Sequence, residues 1–196
     1  MNPLIVVFQL LGQNLYCRPS NENKQIRDNL TQLPELLNWP DENKIANLVQ
    51  ALPALDIEEL EYQFSVLFEG QGQMPCPPWG SVYLDKDNIV FGETTAQYRN
   101  FLRQNGLEII SESKEPEDQF GLMLLALSQL LEKGEAQAGM ELITEHLMPW
   151  GTRYLELLAK NEVSQYYAII AQITQDLFDS LQHEFEYKAA EKTLYL

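Results

Sequence analysis

Cysteine, histidine and positive charge are all scarce in this sequence. Its two cysteines, Cys17 and Cys76, stand far apart with no CxxC pair. That argues against a disulfide framework or a structural zinc cage and fits a reducing compartment. The two histidines, His146 and His183, sit in no HExxH motif, and there is no GxSxG, Walker A or full GxGxxG. The vocabulary of hydrolases, metalloproteases and nucleotide-binding enzymes is therefore missing. Thirteen Lys and Arg face 29 Asp and Glu, a net charge of −16. A nucleic-acid binder needs a basic face, and an anionic membrane would repel such a chain. A cationic partner would be attracted. No apolar run approaches the roughly 18 residues needed to span a bilayer. The run Leu4–Phe8 lacks a preceding basic residue and a small-residue cleavage pattern, so it does not read as a signal peptide. The expected location is the cytoplasm, with no nucleic acid and no stable membrane insertion.

What is present is an ordinary globular balance. The 196 residues are 45% hydrophobic and 21% charged, enough to bury a core without covalent staples. Leu4, Phe8, Leu11 and Leu15 recur at helical spacing. Ile26, Leu30, Leu33 and Leu37 continue that period, disturbed by Pro34. Asp41 is placed to cap a helix carrying Ile45, Leu48, Val49 and Leu52. Asp56 with Glu59 forms a capping-box pattern ahead of Leu60, Phe64, Leu67 and Phe68. Thr94, with Gln97 three residues on, predicts another cap, and Gly106 suits the helix end. Pro116 fits the first turn of a helix reaching about Lys133, its acidic start (Glu115, Glu117, Asp118) complementing the dipole. The span 107–115 reads as a connector. A helix over about 135–147 would stop at Met148-Pro149-Trp150, another would follow, and Ser164 would cap the last. The only short strand candidates are Ser81–Leu84 and Asn88–Phe91. These patterns predict an all-α fold, a single domain over residues 1–196 with about eight to ten helices.

Residues 69–85, EGQGQMPCPPWGSVYLD, break the helical texture with Gly70, Gly72 and Gly80 and with Pro75, Pro77 and Pro78. The stretch still carries Met74, Trp79, Val82 and Tyr83. A proline-stiffened apolar loop is either packed on the body or offered to a ligand. Cys76, between two prolines and without a nearby histidine in sequence, reads as a small packed side chain rather than a nucleophile. His146 follows Glu141 and Glu145, which favours a solvated acidic helix face over a metal site, since no second ligand cluster completes a shell. Glu115, Glu117 and Asp118 read as helix capping, as acid–base groups, or as a seat for a guanidinium, whose planar fork matches a carboxylate.

Several runs in register carry a resemblance. Leu67-Phe68-x-Gly70, Met74-Pro75-Cys76-Pro77-Pro78-Trp79-Gly80-Ser81-Val82-Tyr83-Leu84-Asp85, Asn88-Ile89-Val90-Phe91-Gly92-Glu93-Thr94-Thr95, Glu115-Pro116-Glu117-Asp118-Gln119-Phe120-Gly121 and His146-Leu147-Met148-Pro149-Trp150 with Arg153-Tyr154-Leu155 together resemble the TorD/DmsD family of redox-enzyme maturation chaperones. The PPWGSVYLD run is closest to the DmsD branch. The resemblance covers about residues 62–158. It implies an all-α cytoplasmic chaperone with no cofactor and no catalytic residue. It implies binding of the twin-arginine signal peptide of a molybdopterin oxidoreductase precursor, typically a dimethyl sulfoxide reductase catalytic subunit, with the enzyme itself and the export machinery as further partners. It carries peptide-binding roles onto Phe64, Leu67, Phe68, Pro78, Trp79, Gly92, Asp118 and Gln119. Phe64 stands where the family has tryptophan and Gln119 where it has histidine, so the site loses an indole donor and a group that could become cationic. The competing reading is a small acidic enzyme using Glu115, Glu117 or Asp118.

Overall fold

A computed structural model describes residues 2–107 and 115–196. Most of the connector expected over 107–115 therefore lies outside the described residues. The chain runs α1 (Pro3–Tyr16), α2 (Lys24–Asp28), a 3-10 turn (Asn29–Gln32), α3 (Leu33–Leu36), α4 (Glu42–Gln50), α5 (Ile57–Phe68), α6 (Gly80–Leu84), α7 (Glu93–Gln104), α8 (Phe120–Glu132), α9 (Ala136–Glu141), a π-helical segment (Leu142–Leu147), α10 (Met148–Ala159) and α11 (Gln165–Phe185). Among the described residues no strand forms, and the only bridge is an antiparallel one between Trp79 and Gln119. The fold is all-α, as the periodicity predicts.

The core is one connected apolar cluster, and the antiparallel pair α1 and α8 runs through it. Two glycines permit their close crossing. A Cβ on Gly12 would lie 2.9 Å from the Gly121 carbonyl oxygen, and one on Gly121 would lie 2.8 Å from the Gly12 carbonyl oxygen. Real side chains do not tolerate such approaches, so the crossing depends on both residues. α5 packs its Phe64 and Phe68 against Tyr167 of α11 (Phe68–Tyr167 centroids 4.9 Å). α6, α8 and α10 meet in a second aromatic group, Tyr83 stacked on Trp150 at 5.2 Å and Phe120 edge-on to the same indole. Aromatic clusters of this kind gain from geometry as well as from buried area.

The caps read from sequence at Asp41, Asp56 and Ser164 are in place, each accepting a backbone N–H of the helix it opens. Four local expectations are corrected. Thr94 does not cap α7; its N–H and hydroxyl both donate to the Asp85 carboxylate, and Gly92 holds the cap position. Ser81–Leu84 is helix α6 and 88–91 a turn, not strands. α8 starts at Phe120 rather than near Pro116, because residues 118–120 pair with 78–80: Phe120 N donates to Pro78 O at 2.8 Å and Gly80 N to Asp118 O at 3.1 Å. The chain also stays helical through Met148-Pro149-Trp150. Pro149 lies in the first turn of α10, directly after the π-helical segment, and the Glu145 carbonyl four residues before it accepts instead from Lys192 Nζ at 2.6 Å.

Beyond α11 the chain leaves through Glu186 in the left-handed region (φ 50°) and runs back over the body without regular structure. Ala190 N donates to Thr144 O and Tyr195 N to Tyr83 O, both at 2.8 Å. Among the described residues no helix is long and apolar enough to cross a membrane.

Candidate functional site

The bridge between Trp79 and Gln119 brings the proline loop and the acidic cluster together. At this junction the segment Pro78–Gly80 lies beside Asp118–Phe120, and α6 starts from it. Each acid has a distinct partner. Glu115 accepts the Trp79 indole N–H at 2.6 Å. Burial lifts the Glu115 carboxyl above the ordinary range, against the pull of that hydrogen bond. Glu117 takes Arg99 in a two-point fork, 2.6 and 2.7 Å. Its partial burial alone would lift the carboxyl, but the guanidinium holds it below its ordinary value. The cluster thus already binds one arginine through the chemistry that the sequence pattern suggests.

Asp118 is only 3% exposed. Its Oδ2 accepts from Ser81 N at 2.7 Å and from the Thr95 hydroxyl at 3.1 Å, which ties the starts of α6 and α7 to the junction. Its Oδ1 is buried with no hydrogen-bond partner. Burial pushes the carboxyl up despite the Ser81 and Thr95 bonds. Asp118 lines a small polar pocket with Gly80, Thr94, Tyr98, His146, Trp150 and Lys192 among its walls. The Tyr98 hydroxyl is likewise buried and unpartnered.

The other resemblance-derived residues fall into two groups. Trp79 and Gly92 are half-exposed; Pro78 and Gln119 are buried. Gly92 keeps the loop tight, since a Cβ there would collide with the Asp85 carboxylate that anchors Thr94. Gln119 is occupied at both ends: its Oε1 accepts Leu122 N at 2.9 Å, capping α8, and its Nε2 donates to Leu15 O at 2.9 Å, the end of α1. Phe64, Leu67 and Phe68 belong to the buried core under α11 and present no surface here. Their helical stripe in the sequence points to that burial. A patch that sequence reasoning did not single out lies next to Gly92: Ile89, Val90 and Phe91 are consecutive, large and exposed. Only the unusual density of apolar residues in a turn signals it.

Cys76 is buried, and burial pushes its thiol up to about 12, which makes it inert. His146 is not on a solvated acidic face. Its ring packs against Tyr98 (5.5 Å) and Phe101 (4.8 Å), and burial, with Lys192 nearby, pushes it down to about 4. Among the described residues no group of three or more His, Cys, Asp or Glu could hold a metal ion. A larger open groove of about 420 Å³ lies between α4 and α11, lined by Trp39, Lys44, Asp176, Asp179 and His183.

The junction sets a proline-stiffened aromatic loop against a small pocket with a buried carboxyl at its wall. Comparison with known proteins gives the class. The crystal structure of a protein from Archaeoglobus fulgidus, assigned as a redox enzyme maturation protein, superposes with a TM-score of 0.59 at 20% identity, covering 91% of this chain and 94% of that one. It shows the shared fold. The chain belongs to the nitrate reductase delta subunit family, whose model matches residues 35–156. The Tat proofreading chaperone DmsD of Salmonella paratyphi A is 30% identical over 192 residues, 97% of this chain and 94% of its own. The chaperone protein TorD of Aliivibrio salmonicida is 24% identical over 199 residues, 93% and 89% of the two chains. The resemblance to TorD and DmsD read from the motifs is borne out. The relatives are named as chaperones, not enzymes, and this chain is a chaperone of the same family.

Proposed function

We propose that this chaperone binds the twin-arginine signal peptide of a molybdopterin oxidoreductase precursor, a dimethyl sulfoxide reductase catalytic subunit being the first client to test, and holds it in the cytoplasm until the enzyme is mature. The observation that carries this reading is the near-full-length relationship to a protein named as a Tat proofreading chaperone. Residues 1–196 act as a single unit in it. The chemistry of the junction supports the reading. A twin-arginine segment offers two guanidinium groups followed by an apolar stretch. The −16 charge draws the cations in, Asp118 accepts a guanidinium, and Trp79 with the loop around Gly92 takes the apolar run. Phe64, Leu67, Phe68, Pro78 and Gln119 complete the site by shaping it from beneath. The enzyme itself and the export machinery are the further partners. The reading that uses Glu115, Glu117 and Asp118 as acid–base groups is not favoured: two of the three are engaged with Trp79 and Arg99.

The test is titration of a twin-arginine signal peptide into Trp79→Ala and Asp118→Asn variants of the full chain, beside circular dichroism. Weaker binding with unchanged helicity is expected for both. Unchanged affinity in both would remove the junction from the binding surface.

A further inference from the structure

The chain beyond α11 lies across the Asp118 pocket, and nothing in the chaperone reading uses it. Tyr187 roots it, its hydroxyl donating to Phe178 O at 3.2 Å. From there Ala190 N reaches Thr144 O, Lys192 Nζ reaches Glu145 O at 2.6 Å, and Tyr195 N reaches Tyr83 O. Residues 191–196 are all exposed, so little apolar burial holds them down. Lys192 is one wall of the pocket. Its ammonium acts on His146, across the same space. With the tail in place the pocket keeps only about 10 Å³ of free space, room for about one water molecule and no side chain.

The floor of the pocket is built for a donor. Asp118 Oδ1 and the Tyr98 hydroxyl are both buried without a hydrogen-bond partner, as is the nearby Ser81 hydroxyl, and Asp118 and Tyr98 both line this pocket. A buried carboxylate oxygen left without a donor costs free energy that a multi-donor ligand would recover, and the Tyr98 hydroxyl, which can accept as well as donate, is a second unpaired polar group beside it. A guanidinium is planar, carries five N–H donors and is more weakly hydrated than an ammonium, which suits a narrow pocket bounded by the Trp150 and Tyr98 rings. Lys192, bonded instead to a main-chain carbonyl at the rim, supplies a cation there without satisfying the floor.

We propose that residues 188–196 are a displaceable strap over a single-guanidinium pocket, floored by Asp118 Oδ1 and the Tyr98 hydroxyl, and that one arginine of the signal peptide enters as Lys192 and its strap leave. This rests on the signal-peptide reading and adds to it a defined seat and a built-in competitor. The strap lowers apparent affinity by the fraction of time it is open. A closed population of about 90% corresponds to about a tenfold penalty.

The experiment uses the full chain. In the unmodified protein, hydrogen exchange at the Ala190 and Tyr195 amides is followed while a twin-arginine peptide is added. Faster exchange at both is expected. A strap variant, Ala190→Pro with Lys192→Ala and Tyr195→Pro, loses all three anchoring bonds, since proline has no N–H to donate. It is expected to bind the peptide about three- to tenfold more tightly. Tyr98→Phe removes a hydroxyl with no partner, so its fold is expected to hold while its affinity drops. Saturable peptide binding with Ala190 and Tyr195 still protected, and with no gain in the strap variant, overturns the strap and leaves the chaperone reading intact. Arginine amide alone separates the remaining cases, read at the Trp150 indole resonance. No shift in the strap variant at millimolar arginine amide overturns the pocket whatever the peptides do. A shift that Asp118→Asn abolishes supports the pocket, even if no signal peptide binds and the client assignment falls.

Discussion

Gln119 separates a structural role from a contact role more sharply than any other residue at the junction. Its amide is used at both ends, capping α8 at Leu122 N and closing α1 at Leu15 O, and it is buried. Gln119→Ala removes a cap, at about 1 kcal/mol, and strands a buried carbonyl, at about 1–3 kcal/mol. The total is about 2–4 kcal/mol of stability. In a chain of this size each kcal/mol moves Tm by roughly 2–4 °C, so calorimetry is expected to show a fall of about 5–15 °C. Because both partners belong to the fold, affinity for a twin-arginine peptide measured well below that Tm is expected to change less than about threefold, under 0.7 kcal/mol. Unchanged Tm with a tenfold loss of affinity would refute the reasoning and make Gln119 a direct contact.

Other outcomes follow from the same geometry. Gly121→Ala forces a Cβ against the Gly12 carbonyl at 2.8 Å. Overpacking of that kind costs about 1–3 kcal/mol, so denaturant titration is expected to show clear destabilisation, and an unchanged midpoint would mean α1 and α8 separate easily. Burial raises the Asp118 carboxyl, so the folded state holds that proton more tightly than the unfolded chain does. Stability therefore falls as pH rises through the interval between the unfolded and folded values, and remains lower at neutral pH. Asp118→Asn is expected to compare most favourably with the native chain at pH 7 and to lose ground as pH drops toward 4. A comparison that improves at low pH contradicts the assignment. Peptide affinity is also expected to weaken with added salt, because exposed charges are screened over about 8 Å at physiological ionic strength; titrations at low and high salt check this, and equal affinities would remove the steering contribution of the acidic surface.

The sequence reveals most where structure is local. The Leu4, Phe8, Leu11, Leu15 stripe and the Asp41, Asp56 and Ser164 caps act within a turn or two, and each is found where the pattern puts it. Ser81–Leu84 shows the limit. Valine and tyrosine there suggest a strand, yet the segment is helical, and the carboxylate holding its first turn comes from Asp118, 37 residues away. Long-range partners of that kind override local preference. The same holds for Thr94, whose carboxylate comes from Asp85 and not from its own helix. At the site, the motifs mark the right neighbourhood, but the split between half-exposed Trp79 and Gly92 and buried Phe64, Leu67 and Phe68 depends on where α11 packs. The strap is silent in the sequence, because its bonds go to the backbone at Thr144, Glu145 and Tyr83 and leave no side-chain pattern.

The central claim is that this chaperone recognises a signal peptide through guanidinium groups. Calorimetric titration with a twin-arginine signal peptide from a molybdoenzyme precursor, beside the same peptide with both arginines changed to lysine, tests it most directly. An ammonium cannot reproduce the planar fork. Saturable binding by the first peptide, lost or at least tenfold weaker with the second, is the expected result. Equal binding of the two peptides, or no binding to a panel of such signal peptides, would contradict it.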